Sequence, residues 1–286
     1  MTASPETPAP SAPDGDLLRK QARLESTLAT LGSVVVAYSG GADSAYLAWV
    51  ATSVLAEGAL CVTAESASYP SRQRELAARV AREFGLRHEF ISTGEMDDPG
   101  YRANAPDRCY HCKHELFSRL TRLARERGIA AVLDGANGDD RNDYRPGRQA
   151  AREFGVLSPL DDADLTKADI RELSRRAGLP TWDEPASACL SSRIPYHTEV
   201  TPERLRMIET AEDALRLLGF SVCRVRHHGT LARIELGSNE LERALQADAR
   251  EAIVRAVRSA GYEYVALDLQ GYRQGSLNRV LPLERI

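Results

Sequence analysis

The sequence predicts an α/β protein, a doubly wound and mainly parallel sheet followed by a smaller C-terminal α+β domain. Three observations carry that expectation. Short apolar runs alternate with amphipathic helical patterns over the first two-thirds of the chain, the grammar of βαβ units. A turn reading "SGGADS" joins the first of those apolar runs to the next helical pattern. Near residue 200 the order changes to helix, hairpin, helix and strand.

The elements follow in order. Residues 1–16 are rich in Pro, Ala, Ser and Thr and read as a disordered tail. A helix is expected over 17–32 and a buried strand over 33–38, with Val34, Val35 and Val36 at its centre. A helix over 44–57, a strand over 59–66, a helix over 71–85 and a strand over 87–93 come next. A polar stretch with Pro and Gly, 94–107, reads as a loop. It leads to a helix over 112–128 and a strand over 130–137. Residues 201–220 form an amphipathic helix with Thr201 as cap and Pro202 in its first position. Alternating segments 221–226 and 231–236 make a hairpin with "HHGT" as its turn, which puts His227 and His228 in a solvated turn. A helix over 239–260 and a strand over 262–270 close the chain. The domains expected are a tail to 16, a first domain over 17–198 and an α+β domain over 199–286.

Composition bounds the function. With 43% hydrophobic and 27% charged residues, the chain reads as an ordinary globular protein. No apolar run has the length of a membrane span, and the N-terminus lacks the basic start and apolar stretch of a signal peptide. A cytoplasmic location is expected. The net charge of −4 disfavours large nucleic-acid substrates, which call for a basic surplus. Five cysteines in such a chain point to metal binding or reactivity wherever they cluster.

The glycine turn has a physical purpose. A strand, a glycine turn and a helix start present backbone N–H groups to an anion. Gly40 and Gly41 let the backbone approach phosphate oxygens, and Ser39 and Ser44 add hydroxyls. Asp43 repels a phosphate unless it helps to hold Mg2+ or orients the loop. The Gly-Lys-Ser/Thr ending of the usual mononucleotide loop is absent, as is the dinucleotide glycine pattern. "SGGADS" instead resembles the PP-loop of ATP pyrophosphatases, which split ATP into AMP and pyrophosphate. The plain alternative is a tight turn with incidental glycines. Splitting at the α-phosphate makes chemical sense when a poor leaving oxygen must be converted into AMP and then displaced by ammonia, an amine or sulfur.

"DRCYHCKHELF" places Cys109 and Cys112 at a loop-to-helix junction beside Arg108 and Lys113, a setting that favours thiolates. Cys189 lies in "ASACLSSRIPY". One Cys-x-x-Cys pair is weak evidence for structural zinc, which takes four ligands. A pair plus a distant third thiolate can hold a [4Fe–4S] cluster with one iron open to a substrate sulfur. Simple surface thiols are the bland reading. Cys61 and Cys223 fall in strand patterns and read as core residues.

"SGGADS", "LDGANGDDRNDYRPGRQAAREFGVLSPL", "CLSSRIPY", "RVRHHGTLARIEL" and "YVALDLQGYRQGSLN" together resemble the LarE family over nearly the whole chain. The resemblance implies a sulfur transferase of nickel-pincer cofactor biosynthesis on a PP-loop fold, acting with ATP and Mg2+. It implies adenylylation of a carboxylate of pyridinium-3,5-biscarboxylic acid mononucleotide and its replacement by a thiocarboxylate. It maps Ser39, Gly40, Gly41, Asp43 and Ser44 onto the ATP-phosphate loop and Asp134, at a strand end, onto Mg2+ or nucleotide contact. Lys113 and Arg193 become active-site cations, and Arg224 and Arg226, alternating in one strand, an anion clamp for the substrate phosphate. A solvated strand edge competes with that clamp, a turn aspartate competes at Asp134, and Glu235 reads as an arginine's partner. The family has two sulfur sources, a sacrificial cysteine and a three-cysteine [4Fe–4S] cluster carrying an extra sulfide. Members of the first kind lack the Cys-x-x-Cys pair, and their cysteine stands where this chain has Ala188. The cluster form, with Cys109, Cys112 and Cys189 as ligands, is therefore expected, and a sacrificial Cys189 is the alternative. Family members form hexamers, and the resemblance names no sulfide donor.

Rival readings are a PP-loop tRNA thiolase, an ammonia-using synthetase and a nucleotide-sensing module without turnover. Acidity and the lack of an RNA-binding appendage weigh against the first. The three thiols weigh against the second.

Overall fold

The computed structural model describes residues 14–142, 146–184 and 188–273. The expected tail over 1–13, the centre of the "NDYRPG" segment and the "QGSLN" run beyond 273 lie outside them. Contacts divide the described chain into two compact units. One comprises residues 14–66, 71–94 and 109–184; the other comprises 67–70, 95–108 and 188–273. Residues 188–198, read from sequence as the end of the first domain, thus group with the second unit. Among the described residues no helix is long and apolar enough to cross a membrane.

The first unit is a doubly wound α/β layer. Its helices are α1 (Asp14–Leu31), α2 (Ala42–Leu55) and α3 (Ser71–Glu83). The α1 helix starts three residues upstream of the expected position, with Asp14 and Asp16 in its first turn, where carboxylates favour the helix dipole. Strands β1 (Val34–Ala37), β2 (Ala59–Glu65), β3 (His88–Ser92) and β4 (Ala131–Leu133) pair in parallel in the order β3-β2-β1-β4. Successive side chains of β1 serve opposite layers, as the period of two dictates. Val34 and Val36 pack into the cluster that contains Leu24, Leu47, Val80 and Ile170, whereas Val35 joins Leu60, Val62, Phe117, Leu120 and Ala150. A strand buried on both faces explains the unbroken valine run.

In the second unit the stretch expected as a loop holds α4 (Pro99–Arg102), a single turn capped by the Asp98 carboxylate on the Gly100 N–H. The next helix, α5 (Arg108–Glu126), begins four residues before the expected start, so Cys109 stands in its first turn and Cys112 at its fifth residue. Helices α6 (Gly147–Glu153), α7 (Pro159–Asp162) and α8 (Lys167–Arg176) complete the first unit.

The second unit folds around α9 (Pro202–Leu217), capped by the Thr201 hydroxyl as its sequence indicates. Strands β5 (Cys223–His228), β6 (Leu231–Leu236) and β7 (Tyr264–Leu267) lie in the order β5-β6-β7, the first pair antiparallel and the second parallel. The hairpin turn is only Gly229–Thr230, with Gly229 at φ +65°. His227 and His228 are therefore strand residues, not turn residues. His227 is buried and bonded to the Tyr262 hydroxyl at 3.1 Å, because strand alternation turns it to the core with Val225; only His228 is exposed. The single helix expected over 239–260 is broken at Gln246, whose backbone is extended, into α10 (Leu241–Leu245) and α11 (Ala247–Ser259).

Candidate nucleotide-binding site

Open α/β sheets bind ligands beyond the carboxyl ends of their strands, where the strand order reverses. Here the order reverses between β1 and β4, since β1 connects onward to β2 on one side and β4 lies on the other. The "SGGADS" turn leaves the carboxyl end of β1, and Asp134 and Gly135 follow β4. The two segments touch. A Cβ added to Gly135 would stand 3.2 Å from the Ser44 nitrogen and 3.5 Å from the Asp43 carbonyl carbon.

The turn itself is closely specified. Gly40 has φ +69°, and a Cβ there would meet the Ala77 Cβ at 2.8 Å and its Cα at 3.0 Å. Glycine is required by conformation and by space. Gly41 is extended and serves as N-cap of α2, so the helix's first N–H groups and its positive dipole end face the turn. The Ser44 hydroxyl donates to the Gly41 carbonyl at 3.1 Å and accepts from the Ser39 N–H at 3.1 Å; the two hydroxyls lie 3.0 Å apart. Asp43 stands in the first turn of α2. A strand–turn–helix unit of this kind can cradle an anion, and here the two hydroxyls are bonded within the turn.

Asp134 is nearly buried. One carboxylate oxygen accepts from the Ser158 hydroxyl at 2.7 Å and the Ala136 N–H at 3.2 Å, so it shapes the turn after β4 beside the cradle. Sequence reading missed Gly135, Thr63 and Gln73. Thr63 donates to the Tyr38 carbonyl at 2.6 Å, and the Gln73 amide donates to the Ser39 carbonyl at 3.1 Å. The glycine in "LDGAN" was a legible signal for the first; nothing in the local sequence marks the other two.

Cys109 is exposed in the first turn of α5, where a helix N-terminus favours thiolate, and Cys112 is half-buried at the start of the next turn. Lys113 follows, its ammonium 5.2 Å from the Phe117 ring centroid. Gly147 approaches this turn so closely that a Cβ there would come within 2.9 Å of the Lys113 Cγ.

In the second unit Cys189 is half-buried at the start of a helical turn, 190–193. That turn is fixed by buried polar groups. Arg193 is 3% exposed; its Nε and Nη2 donate to the two Glu212 oxygens at 2.9 and 3.2 Å, and its Nη1 to the Ala188 and Cys189 carbonyls at 2.7 and 3.0 Å. Glu212 also accepts from Arg216 and from the Val225 N–H. Burial works to raise the Glu212 pKa, but Arg193, Arg224 and Arg216 outweigh it and hold the carboxyl below its ordinary value. The Ser191 hydroxyl lies 2.6 Å from that of Tyr101, and its carbonyl accepts from Arg108 at 2.9 Å. Expected as a substrate-facing cation, Arg193 is placed here as the clasp of the Cys189 turn.

Arg224 and Arg226 do share a face of β5. Arg226 is buried, donating to Glu235 at 2.6 Å and to the Ser192 carbonyl at 3.0 Å, and Glu235 also accepts from Arg233. The competing reading of Glu235 as an arginine's partner describes what is seen. Arg224 lies 5.0 Å from the Tyr272 ring centroid; burial, then the neighbouring Arg193, lower its pKa. A buried cation beside another cation favours an arriving anion.

The remaining thiols are core residues, as expected. Burial pushes the Cys61 pKa up to about 12 and that of Cys223 up to about 11. Cys109 and Cys112 belong to the first unit and Cys189 to the second, and within neither unit do three His, Cys, Asp or Glu side chains among the described residues stand together as a metal site. The donor chemistry suits a soft metal: these three thiols are the accessible ones, and thiolates are the ligands of iron–sulfur clusters.

Fold and turn define an α/β protein with a strand–glycine turn–helix unit at the reversal point of its parallel sheet. No protein-family model matches the chain. It is 44% identical over 262 residues to an uncharacterized protein of Synechocystis sp., covering 92% of this chain and 98% of the relative. It is 38% identical over 266 residues to the pyridinium-3,5-bisthiocarboxylic acid mononucleotide synthase of Lactiplantibacillus plantarum, covering 93% and 96%. An uncharacterized protein of Methanocaldococcus jannaschii is 30% identical over 240 residues, 84% of this chain. The chain belongs to the LarE family, and is a homologue of an ATP-dependent sulfurtransferase.

Proposed function

We propose that this protein is an ATP-dependent sulfur transferase that converts a carboxylate of pyridinium-3,5-biscarboxylic acid mononucleotide into a thiocarboxylate. The observation that carries this reading is the end-to-end similarity to the Lactiplantibacillus plantarum synthase, with the phosphate cradle at 39–44 at the reversal point of the sheet. The cradle's N–H groups and the α2 dipole bind the departing β- and γ-phosphates, and Asp43 and Asp134 are the carboxylates that can recruit Mg2+. A substrate carboxylate oxygen attacks the α-phosphorus, pyrophosphate leaves, and an acyl adenylate results. A sulfur nucleophile then adds to the acyl carbon and expels AMP. Arg224, with its lowered pKa beside Arg193, is the group that accepts the substrate's phosphate; Arg226 shapes that face through Glu235.

For the sulfur source we favour a [4Fe–4S] cluster held by Cys109, Cys112 and Cys189, with an extra sulfide as the group transferred; when bound, such a cluster supplies sulfur without consuming a residue. Lys113, next to the Cys-x-x-Cys pair, stabilises thiolates there. A homo-hexameric assembly and a cytoplasmic location belong to the same reading.

The test is direct. The protein, prepared without oxygen, is incubated with ATP, Mg2+ and the dicarboxylate mononucleotide, and pyrophosphate, AMP and product mass are followed. Pyrophosphate release that requires the dicarboxylate, with exchange of oxygen for sulfur in the product, is the expected result. Release that is indifferent to the dicarboxylate overturns it. Iron and sulfide analysis decides the source: dehydroalanine at position 189 after turnover, without iron, refutes the cluster.

A further inference from the structure

A loop that binds phosphate through peptide N–H groups has a problem that glycines alone do not solve. Each peptide carries a carbonyl opposite its N–H, and the trans, planar geometry points the two in opposite directions. If a peptide of the loop turns over, an oxygen faces the phosphate where a donor should be. Ligand binding then has to reverse the peptide, which reduces affinity.

The carbonyls of this cradle have partners behind it. The Tyr38 carbonyl accepts the Thr63 hydroxyl at 2.6 Å. The Ser39 carbonyl accepts the Gln73 amide at 3.1 Å, which aims the Gly40 N–H the other way. The Gly41 carbonyl accepts the Ala45 N–H at 2.9 Å and the Ser44 hydroxyl at 3.1 Å. Thr63 and Gln73 are both buried, at 1% and 6% exposure. Thr63 is itself oriented. Its hydroxyl proton goes to Tyr38, so His88 Nε2, 2.8 Å away, must be the donor to its oxygen. Burial lowers the His88 pKa, against the pull of Glu65 and Glu89, so the ring is the neutral Nε2–H tautomer near neutral pH. The α3 helix that carries Gln73 also supplies Ala77, whose carbonyl accepts the Tyr38 hydroxyl at 3.1 Å and whose Cβ abuts Gly40.

We propose that Gln73, and Thr63 held by His88, are positioning residues that keep the carbonyls of the phosphate loop turned away from the ligand. The inference rests on the reading of residues 39–44 as an ATP-phosphate loop. It gives a role to one residue each of β2, β3 and α3.

The test compares Gln73→Met, Thr63→Val and Thr63→Ser with the parent protein. MgATP affinity is read by calorimetry, and the KM values for ATP and for the pyridinium dicarboxylate mononucleotide by pyrophosphate release. Loss of one buried hydrogen bond predicts ATP affinity weaker by about three- to tenfold in Gln73→Met and in Thr63→Val. The KM for the dicarboxylate stays at the parent value, and Thr63→Ser restores ATP affinity. A purely structural role would shift both KM values or neither. Unchanged ATP affinity in Gln73→Met overturns the proposal, and that variant decides alone should Thr63→Val not fold. If the parent binds MgATP but releases no pyrophosphate with the dicarboxylate, the functional reading fails while the affinities still test the positioning roles. If the parent binds no MgATP, both fail.

Discussion

Replacing Gly40 by alanine separates the two demands made on the turn. The first is conformational, since a φ of +69° costs an L-residue about 1–2 kcal/mol. The second is steric. The new Cβ would lie 2.8 Å from the Ala77 Cβ and 3.0 and 3.2 Å from that residue's backbone Cα and N, atoms that cannot swing aside as a side-chain tip can. Overpacking of this kind costs about 1–3 kcal/mol. Gly40→Ala should therefore destabilise the first unit by about 2–5 kcal/mol. Gly85→Ala is the internal control. Gly85 has φ +65°, and nothing lies within 4 Å of a Cβ placed there, so it reports the conformational cost by itself. Gly41→Ala completes the set: its backbone is extended and only the Ser39 hydroxyl, at 3.6 Å, is near. Urea unfolding followed by tryptophan fluorescence reads the first unit selectively, because both tryptophans, Trp49 and Trp182, lie in it. MgATP affinity is measured alongside, and it should drop in Gly40→Ala and persist in Gly85→Ala. Equal destabilisation by Gly40→Ala and Gly85→Ala, with ATP binding intact in both, would refute the claim that helix α3 wedges the loop.

Three further outcomes are expected. Brief alkylation of the folded, cluster-free protein should label Cys109, Cys112 and Cys189 and spare Cys61 and Cys223, as read by peptide mass spectrometry; alanine at any of the first three should abolish sulfur transfer while leaving pyrophosphate release. Glu212→Gln removes a buried charge that faces Arg193 and Arg216 and should cost about 3–5 kcal/mol in thermal or urea unfolding. Because the folded-state pKa of Glu212 is depressed, its contribution is complete above the ordinary carboxylate value and is lost as pH falls through the folded one, so the variant should show a shallower acid limb. Burial, Arg204 and His228 lower the His227 pKa, so the protein should lose stability as pH falls below about 6.5, where the unfolded imidazole takes up a proton first. His227→Gln should flatten that slope in melting curves, and an unchanged slope would contradict the burial of a neutral ring beside Tyr262.

The sequence by itself determined the alternation of elements, the glycine turn between β1 and α2 and the buried nature of Cys61 and Cys223. These are local matters: period-two apolar runs, a glycine demanded by a positive φ, and a thiol inside an apolar strand each declare themselves within a few residues. It also contained the motif match that places the chain in its family. Tertiary structure alone decided what the polar residues do. Arg193 carries the same guanidinium whether it meets a substrate or clasps a turn, and only the arrival of Glu212 from α9, nineteen positions away, makes it a clasp. His227 reads as a turn residue until the strand register sends it to the core. Thr63 and Gln73 are ordinary strand and helix residues until the sheet brings β1 beside β2 and α3 over the loop. Hydrogen bonds between distant residues depend on angles and distances that the chain acquires only when the apolar layers have packed.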